Sequence, residues 1–256
     1  MTVQTPPSWP VDVLTLCIDV GGTGLKAALV NPAGVMVSDK VKIPTPYPCP
    51  PARLLESLTS LTSDLKDYHR VSVGFPGLVR RGIVLEVPAF SRLEYGGPPD
   101  PGMVEQWRSY HLADALAHAF DLPVLVVNDA DMQGAAVVTG DGVEFVMTLG
   151  TGVGTALFSD GVLLPHFDLS HGPFADGMTT DIALGEAQRH KLGTKKWRPL
   201  VRDAIANFHD MFWFDRIYVG GGNAKRLDPG DVGPKGVIVP NTAGILGGVR
   251  IWQMTS

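Results

Sequence analysis

The sequence predicts an α/β protein of two lobes, and three observations carry that prediction. Apolar strand-like runs alternate with helix-periodic segments in both halves of the 256-residue chain, the pattern of sheets covered by helices. The octet Gly22-Thr23-Gly24-Leu25-Lys26-Ala27-Ala28-Leu29 recurs as Gly150-Thr151-Gly152-Val153-Gly154-Thr155-Ala156-Leu157, 128 residues later, which is half the chain length. Each copy follows an apolar run and leads through a second one into a Gly-containing turn, at 31–34 and 159–161. A strand, a glycine turn and a returning strand leave backbone N–H groups uncovered at the turn, where they can hold an anion. Two such turns, one per half, suit two lobes that grip phosphate between them. The expected division is residues 1–127 and 128–256, with the final helix packing back on the N-terminal lobe.

Taken in order, the runs at 14–20, 25–31 and 35–43 read as three strands of one meander. A Pro-rich stretch, 43–51, leads into a helix marked by Leu54, Leu55, Leu58, Leu61 and Leu65, apolar at helical spacing. Residues 71–75 make a short buried strand ending in Pro76-Gly77, and the Gly- and Pro-rich segment 88–101 makes a surface excursion. The periodicity predicts one helix over 104–120 and a strand over 123–127 that stops at Asn128-Asp129. A helix over 130–138 follows, then strands over 145–149, 153–158 and 162–164, and helices over 180–191 and 197–212. A strand over 216–219 runs into Gly220-Gly221-Gly222, and the segment 236–239 precedes a last helix from about Ala243.

Hydrophobic residues make up 45% of the chain and charged residues 18%, ordinary for a globular protein with a real core. A formal net charge of −5 argues against a general nucleic-acid binder, whose footprint is basic. Cys17 and Cys49 are the two cysteines, too few for a disulfide framework or a four-cysteine zinc site. Cys17 lies in the first apolar run, where burial as a small hydrophobe is expected. No run of 18 apolar residues exists to span a membrane, and residues 1–10 lack the basic-then-apolar order of a leader. The expectation is a cytoplasmic protein without a membrane partner.

Asp19 ends the first strand just ahead of Gly21, Gly22, Thr23 and Gly24. A carboxylate there, beside a phosphate cradle, is placed to hold Mg²⁺ directly or through water. Lys26, on the returning strand, either neutralises phosphate charge or points to solvent. No Gly-x-x-x-x-Gly-Lys-Ser/Thr occurs, which excludes a P-loop. The first glycine turn leads into a strand, whereas a dinucleotide fingerprint opens a helix, and no Gly-x-Ser-x-Gly elbow exists. Asn128-Asp129-Ala130-Asp131 sits at a strand end near the junction of the repeats. A carboxylate there can take a proton from a hydroxyl while a phosphoryl group arrives in line, or it can cap the helix that follows. Position favours Asp129 as base and Asp131 as a structural group. His171 is either a structural imidazole or, with Asp168 near it, a sugar contact.

Together these segments resemble the ROK branch of the actin-like sugar kinases, and within it the polyphosphate/ATP glucokinases. Residues 19–26 resemble the first phosphate motif of that family and residues 149–156 its second. Gly74-Phe-Pro-Gly77 matches its short Pro-Gly turn, and Val126-Val-Asn-Asp-Ala-Asp131 the segment with the catalytic aspartate. Ile217-Tyr-Val-Gly-Gly-Gly222 is similar to the adenosine-side glycines, and residues 239–247 to the polyphosphate glucokinase C-terminus. The resemblance spans nearly all of 13–252, in order. It implies the two-lobed actin-like (ribonuclease H-like) fold, each lobe a mixed sheet flanked by helices. It implies Asp129 as base for a hexose 6-hydroxyl, with Asn128, Gly77, Asp168 and His171 on the sugar. Gly21 to Gly24, with Asp19 and Lys26, and Gly150, Thr151, Gly152 and Gly154 would hold the phosphates. Gly220, Gly221 and Gly222 would back a nucleotide. Polyphosphate or ATP is the implied donor, Mg²⁺ the cofactor and a homodimer the assembly.

Three features depart from the family. Many of its kinases carry a Cys-rich zinc motif after the sugar-binding histidine, whereas no cysteine follows Cys49 here, so no zinc is expected. Asp168-Leu-Ser-His171 stands for a Glu-x-Gly-His motif, one methylene shorter at the carboxylate. Pro88-Ala89-Phe90 stands for Pro-Asn-Leu, losing an amide that binds sugar hydroxyls. An unpaired buried partner costs about 1–3 kcal/mol, so the acceptor is expected to be altered or relaxed relative to glucose. Lys191, Lys195, Lys196, Arg198 and Arg202 either guide polyphosphate toward the cleft or form a solvated helix face. Sugar-responsive repressors of the family carry a DNA-binding domain ahead of the first strand, where twelve residues precede Val13 here. That makes the regulator reading, like a non-catalytic sugar-binding one, secondary to the enzyme.

Overall fold

The computed structural model describes residues 11–240 and 243–255. The run Thr15–Val20 (β1) is buried over nearly its whole length, which is why it reads as continuously apolar and not alternating. It pairs antiparallel with Gly24–Val30 (β2), and β2 antiparallel with Val41–Pro44 (β3). On its other side β1 lies parallel to Arg70–Phe75 (β4), and β4 parallel to Val124–Asn128 (β5). The second sheet repeats this plan. Val143–Leu149 (β6) pairs antiparallel with Val153–Ser159 (β7), and β7 with Val162–Leu163 (β8). Arg216–Gly220 (β9) lies parallel to β6, and Gly236–Ile238 (β10) parallel to β9. The orders are β3-β2-β1-β4-β5 and β8-β7-β6-β9-β10, so the two sheets match strand for strand in order and direction.

Helices Pro51–Leu61 (α1), Pro101–Trp107 (α2) and Leu112–Phe120 (α3) accompany the first sheet. Leu54 and Leu58 of α1 and Trp107 of α2 are buried with Phe75 and Phe90 in its core. Thr180–Leu184 (α5), Glu186–Leu192 (α6), Thr194–Phe212 (α7) and Pro229–Val232 (α8) accompany the second sheet. There Trp197, Val201 and Phe208 of α7 pack on Phe145 and Leu149 of β6. A third core joins the sheets: Met132 and Ala135 of Asp129–Ala135 (α4) meet Ile251 and Met254 of Ala243–Met254 (α9) over Val146, Ala156 and Phe158. Nearer the start of α9, Ile245 and Val249 pack on Cys17, Ala28 and Val30 of β1 and β2. The crossing of α9 over α4 is close at Gly247, where a Cβ would lie 1.7 Å from the Met132 carbonyl oxygen. Any larger residue there would force the two helices apart. Asn241 and Thr242 of the C-terminal motif lie outside the described residues.

Three expected elements differ. Of the strand expected over 35–43, the end alone becomes β3, with one isolated bridge from Met36 to Val30. The Asn31 side chain accepts from the N–H groups of Ala33 and Val35 and closes a turn that holds the intervening residues off the sheet. The helix expected over 104–120 breaks between α2 and α3. Ser109 takes a left-handed conformation (φ 52°), and Tyr110–His111 pairs with Ile83–Glu86 in a small separate sheet. Trp107 anchors the break, donating from Nε1 to the Cys49 carbonyl at 3.0 Å. The helix expected over 180–191 breaks at Gly185, for a reason that belongs to the site below. Among the described residues no helix is long and apolar enough to cross a membrane.

Candidate active site

The carboxyl ends of β1, β4 and β5 in one sheet and of β6 in the other open on a single cleft of about 690 Å³, the place where open α/β sheets bind ligands. Gly22 and Thr23 line it from the first glycine turn, and Gly150, Thr151, Gly152 and Gly154 from the second. Gly77, Asn128, Asp129, Asp168 and His171 line it as well.

Both turns are built so that their carbonyls are used while the amides at their tips are not. In the first, Gly21 N–H donates to the Gly24 carbonyl at 3.0 Å. The Thr45 hydroxyl donates to the Gly21 carbonyl at 2.6 Å, and the Tyr47 hydroxyl to the Gly22 carbonyl at 2.8 Å. In the second, Gly150 N–H donates to the Gly152 carbonyl at 2.9 Å. The Gly150 carbonyl accepts from Glu186 N–H and from the Asn223 side chain, and the Thr151 carbonyl from the same Glu186 N–H. Glu186 reaches that position because the chain breaks at Gly185, which lies against the Thr151 carbonyl. Among the described residues no protein acceptor takes the N–H groups of Gly22, Thr23, Thr151 or Gly152. Four free amides on two facing turns form an anion-binding concavity. Asp181 closes one side of the second turn, accepting from Val153 N–H at 2.7 Å.

Asp129 is the first residue of α4, at the seam of the two sheets. Capping of that helix falls to Asn128, whose side-chain oxygen accepts from Ala130 N–H at 2.7 Å while its amide donates to the Gly77 carbonyl at 3.0 Å. The Asn128 side chain is therefore committed to the fold, and Gly77 is the residue that holds it. Asp129 keeps one carboxylate oxygen on Ala130 N–H at 2.9 Å. Burial pushes its carboxyl up to about 7, helped by the nearby charge of Asp19 and opposed by the Ala130 amide. A carboxylate poised near neutrality is suited to accept a proton.

On the opposite wall Asp168 stands between two imidazoles, its carboxylate oxygens 3.6 Å from His166 Nε2 and 3.6 Å from His171 Nδ1. The two imidazoles, His166 foremost, hold Asp168 below the usual carboxylate range, against its burial. His166 is itself buried, with Nδ1 3.0 Å from Asp131 Oδ1. Burial would lower the His166 imidazole, but the carboxylates of Asp131 and Asp168 outweigh it and push it up to about 9. Ala89, in place of an amide, packs near Gly22 and offers its carbonyl to the Tyr47 hydroxyl at 3.2 Å. Phe90 turns away into the aromatic core.

Several expected residues adjoin the residues that line the cleft. Lys26 neither lines the cleft nor points freely to solvent, because its ammonium is 2.8 Å from Asp19 Oδ2. Asp19, Gly21 and Gly24 flank Gly22 and Thr23 at the first turn, with the Asp19 side chain partly exposed. Gly220, Gly221 and Gly222 back the second turn. Gly221 has φ 86° and lies so close to Leu149 that a Cβ would fall 2.4 Å from its carbonyl oxygen, so a larger side chain would displace the end of β6. In the basic cluster, Arg198 pairs with Asp228 and Asp231, and Arg202 with Asp231, leaving Lys191, Lys195 and Lys196 exposed. Sequence reasoning missed Arg92, Tyr95, Thr148 and Asp181 on the cleft wall, and His166 behind it. His166 was discoverable as the residue two before Asp168 in an extended segment, where alternate side chains share a face, whereas Thr148 matches Asp19 only in strand register, the 128-residue offset pointing to Met147.

The sequence model described as the ROK family matches residues 15–165 of this chain. Polyphosphate glucokinase from Mycobacterium tuberculosis is 25% identical over 245 residues, 90% of this chain and 88% of that protein. N-acetylmannosamine kinase from Escherichia coli is 33% identical over 155 residues, 59% of this chain and 49% of that one. Among solved structures, inorganic polyphosphate/ATP-glucomannokinase from Arthrobacter sp. strain KM is similar with a TM-score of 0.77 and 27% identity, covering 94% of this chain and 99% of that chain.

Proposed function

This chain belongs to the ROK family, and from that premise we propose that it is a sugar kinase. In this reading it transfers a phosphoryl group from inorganic polyphosphate or ATP to the 6-hydroxyl of a hexose, with glucose as the first acceptor to test. The observation that carries the reading is Asp129, a carboxyl pushed up to about 7, placed in one cleft with two turns whose amides are free.

In the reaction Asp129 takes the proton of the acceptor hydroxyl as its oxygen attacks the terminal phosphorus. The P–O bond to the rest of the donor breaks, and shortened polyphosphate or ADP leaves with the electron pair. The amides of Gly22, Thr23, Thr151 and Gly152 hold the charge that spreads over the transferred group, in a site that needs no reorganisation. Asp168 and His171 orient the sugar. Where ATP is the donor, Gly220, Gly221 and Gly222 back the nucleotide through the second turn. Asp19 fits a Mg²⁺ ion: Lys26 occupies one of its oxygens, and its charge already bears on Asp129. Bound Mg²⁺ neutralises donor phosphate charge, and such ions are held by one or two carboxylates plus the phosphates themselves. The same reading takes the protein as a cytoplasmic homodimer.

A second acceptor class is favoured by one observation: Ala89 presents a methyl group where a sugar-binding amide is expected. Hexoses bulkier than glucose, N-acetylated ones included, belong in the assay for that reason. The test is a matrix of donors (polyphosphate, ATP) against acceptors (glucose, mannose, N-acetylmannosamine) with Asp129→Asn as the blank. Phosphorylation of a hexose by the wild type and not by the variant supports the reading. Equal rates in both, or no turnover of any hexose, overturn it.

A further inference from the structure

We infer that His166 is a positioning residue for the acceptor sugar, holding the Asp168 carboxylate in place and tying it to the helix that carries Asp129. The inference rests on the sugar-kinase reading above. It starts from how little else holds Asp168. Asp168 precedes the short 3₁₀ turn Leu169–His171, yet its side chain caps nothing there. Its carboxylate has two neighbours, and they are unlike. His171 is about half exposed at 47% and faces the open cleft, whereas His166 is 3% exposed.

His166 has a carboxylate at each end of its ring. Nδ1 is 3.0 Å from Asp131 Oδ1, and Nε2 faces Asp168 Oδ1. Asp131 is equally buried and lies in the first turn of α4, two residues after Asp129. A line of three side chains, Asp131–His166–Asp168, therefore runs from the helix of the base to the wall of the sugar pocket. Such an arrangement refers the sugar-binding carboxylate and the proton acceptor to one rigid element. It also suits a carboxylate one methylene shorter than glutamate, which has less reach to find a partner and more need of a fixed position.

The two nitrogens of the ring can be separated by substitution. Asn places its amide near the Nδ1 position and keeps the Asp131 contact, whereas Gln reaches the Nε2 position and keeps the Asp168 contact. Steady-state kinetics for the best acceptor, with melting temperatures, are measured on His166→Asn, His166→Gln, Asp168→Asn and His166→Asn/Asp168→Asn. His166→Asn is expected to raise acceptor KM about tenfold while kcat and donor KM stay within about twofold. His166→Gln should restore much of the acceptor KM, and the double variant should be no worse than Asp168→Asn alone. Additive effects of the two substitutions on acceptor KM overturn the inference. So does a lower melting temperature with acceptor KM unchanged in both His166 variants, the mark of a purely structural ion pair. Should His166→Asn not fold, the inference stands or falls on His166→Gln against Asp168→Asn: a Gln variant with acceptor KM as poor as Asp168→Asn rejects it. A wild type that phosphorylates no hexose rejects the sugar-kinase reading itself, an outcome separate from any of these.

Discussion

The two glycine turns occupy the same place in matching sheets, and they differ one strand pair behind the turn. Across β1 and β2, Asp19 faces Lys26; across β6 and β7, Thr148 faces Gly154. The first pair is a partly exposed ion pair at 2.8 Å. The second pair is small and lines the cleft, and α4 packs directly on it: a Cβ on Gly154 would lie 2.6 Å from Thr148 Oγ1 and 2.9 Å from the Ala130 side chain. The duplication thus supplies the amide cradle twice, while the residues behind it divide the labour. The first copy carries charge near the donor. The second gives up side-chain volume so that the helix of Asp129 can approach.

The largest test of this picture is removal of the group both turns serve. Asp129→Asn should lower kcat by about 10²–10⁴-fold with the melting temperature unchanged or raised, since a buried carboxylate is being neutralised. A rate within tenfold of wild type would mean that another group takes the proton. Next is Gly154→Ala, which presses Thr148 and Ala130 apart. It should destabilise by about 1–3 kcal/mol and lower kcat as well, because Ala130 adjoins the base. Thermal unfolding alongside kinetics would show whether the second turn is as tight as its contacts require.

A subtler effect separates the charged turn from the neutral one. Asp129 is a carboxylate with a raised pKa, so it is protonated and inactive as a base below about 7, and kcat should climb as pH rises through about 7. Burial is the main cause of that rise and the charge of Asp19 the second. Asp19→Asn should therefore move the midpoint of the kcat profile to lower pH without returning it to the ordinary carboxylate range. A midpoint that stays put would uncouple the first turn from the base. The smallest effect belongs to Lys26→Ala, at the repeat position of Gly154. Its ion pair is partly exposed, and its loss should cost less than about 1 kcal/mol of stability, against the larger loss at Gly154. Equal destabilisation at the two positions would erase the contrast.

Much of the fold was legible because it is written in local terms. The repeat, the buried strands and the strand-end position of Asn128-Asp129 all follow from periodicity and turn chemistry within a few residues. The breaks at Ser109 and Gly185 were not legible, since each is imposed by a partner distant in sequence. The first comes from strand pairing of Tyr110–His111 with Ile83–Glu86, with Trp107 anchored on Cys49, and the second from the carbonyls of the second glycine turn. The site divides similarly. Asp129 was marked by its place at a strand end, but the choice between capping and catalysis required the observation that Asn128 takes the cap. Lys26 could be assigned no direction until its pairing with Asp19 was seen. Arg92 and Asp181 carry no pattern at all, the first being brought to the cleft by a loop and the second by the first turn of α5.

By itself, then, the sequence determined that this is a duplicated α/β protein with two anion-binding turns and a carboxylate between them. Those features depend on backbone preferences and hydrophobic spacing, which act at short range. The tertiary structure alone decided which amides are free, which charges are already spent on one another, and that Asp131, His166 and Asp168 form a single line. These depend on contacts between segments tens of residues apart, where burial and pairing set the state of each group.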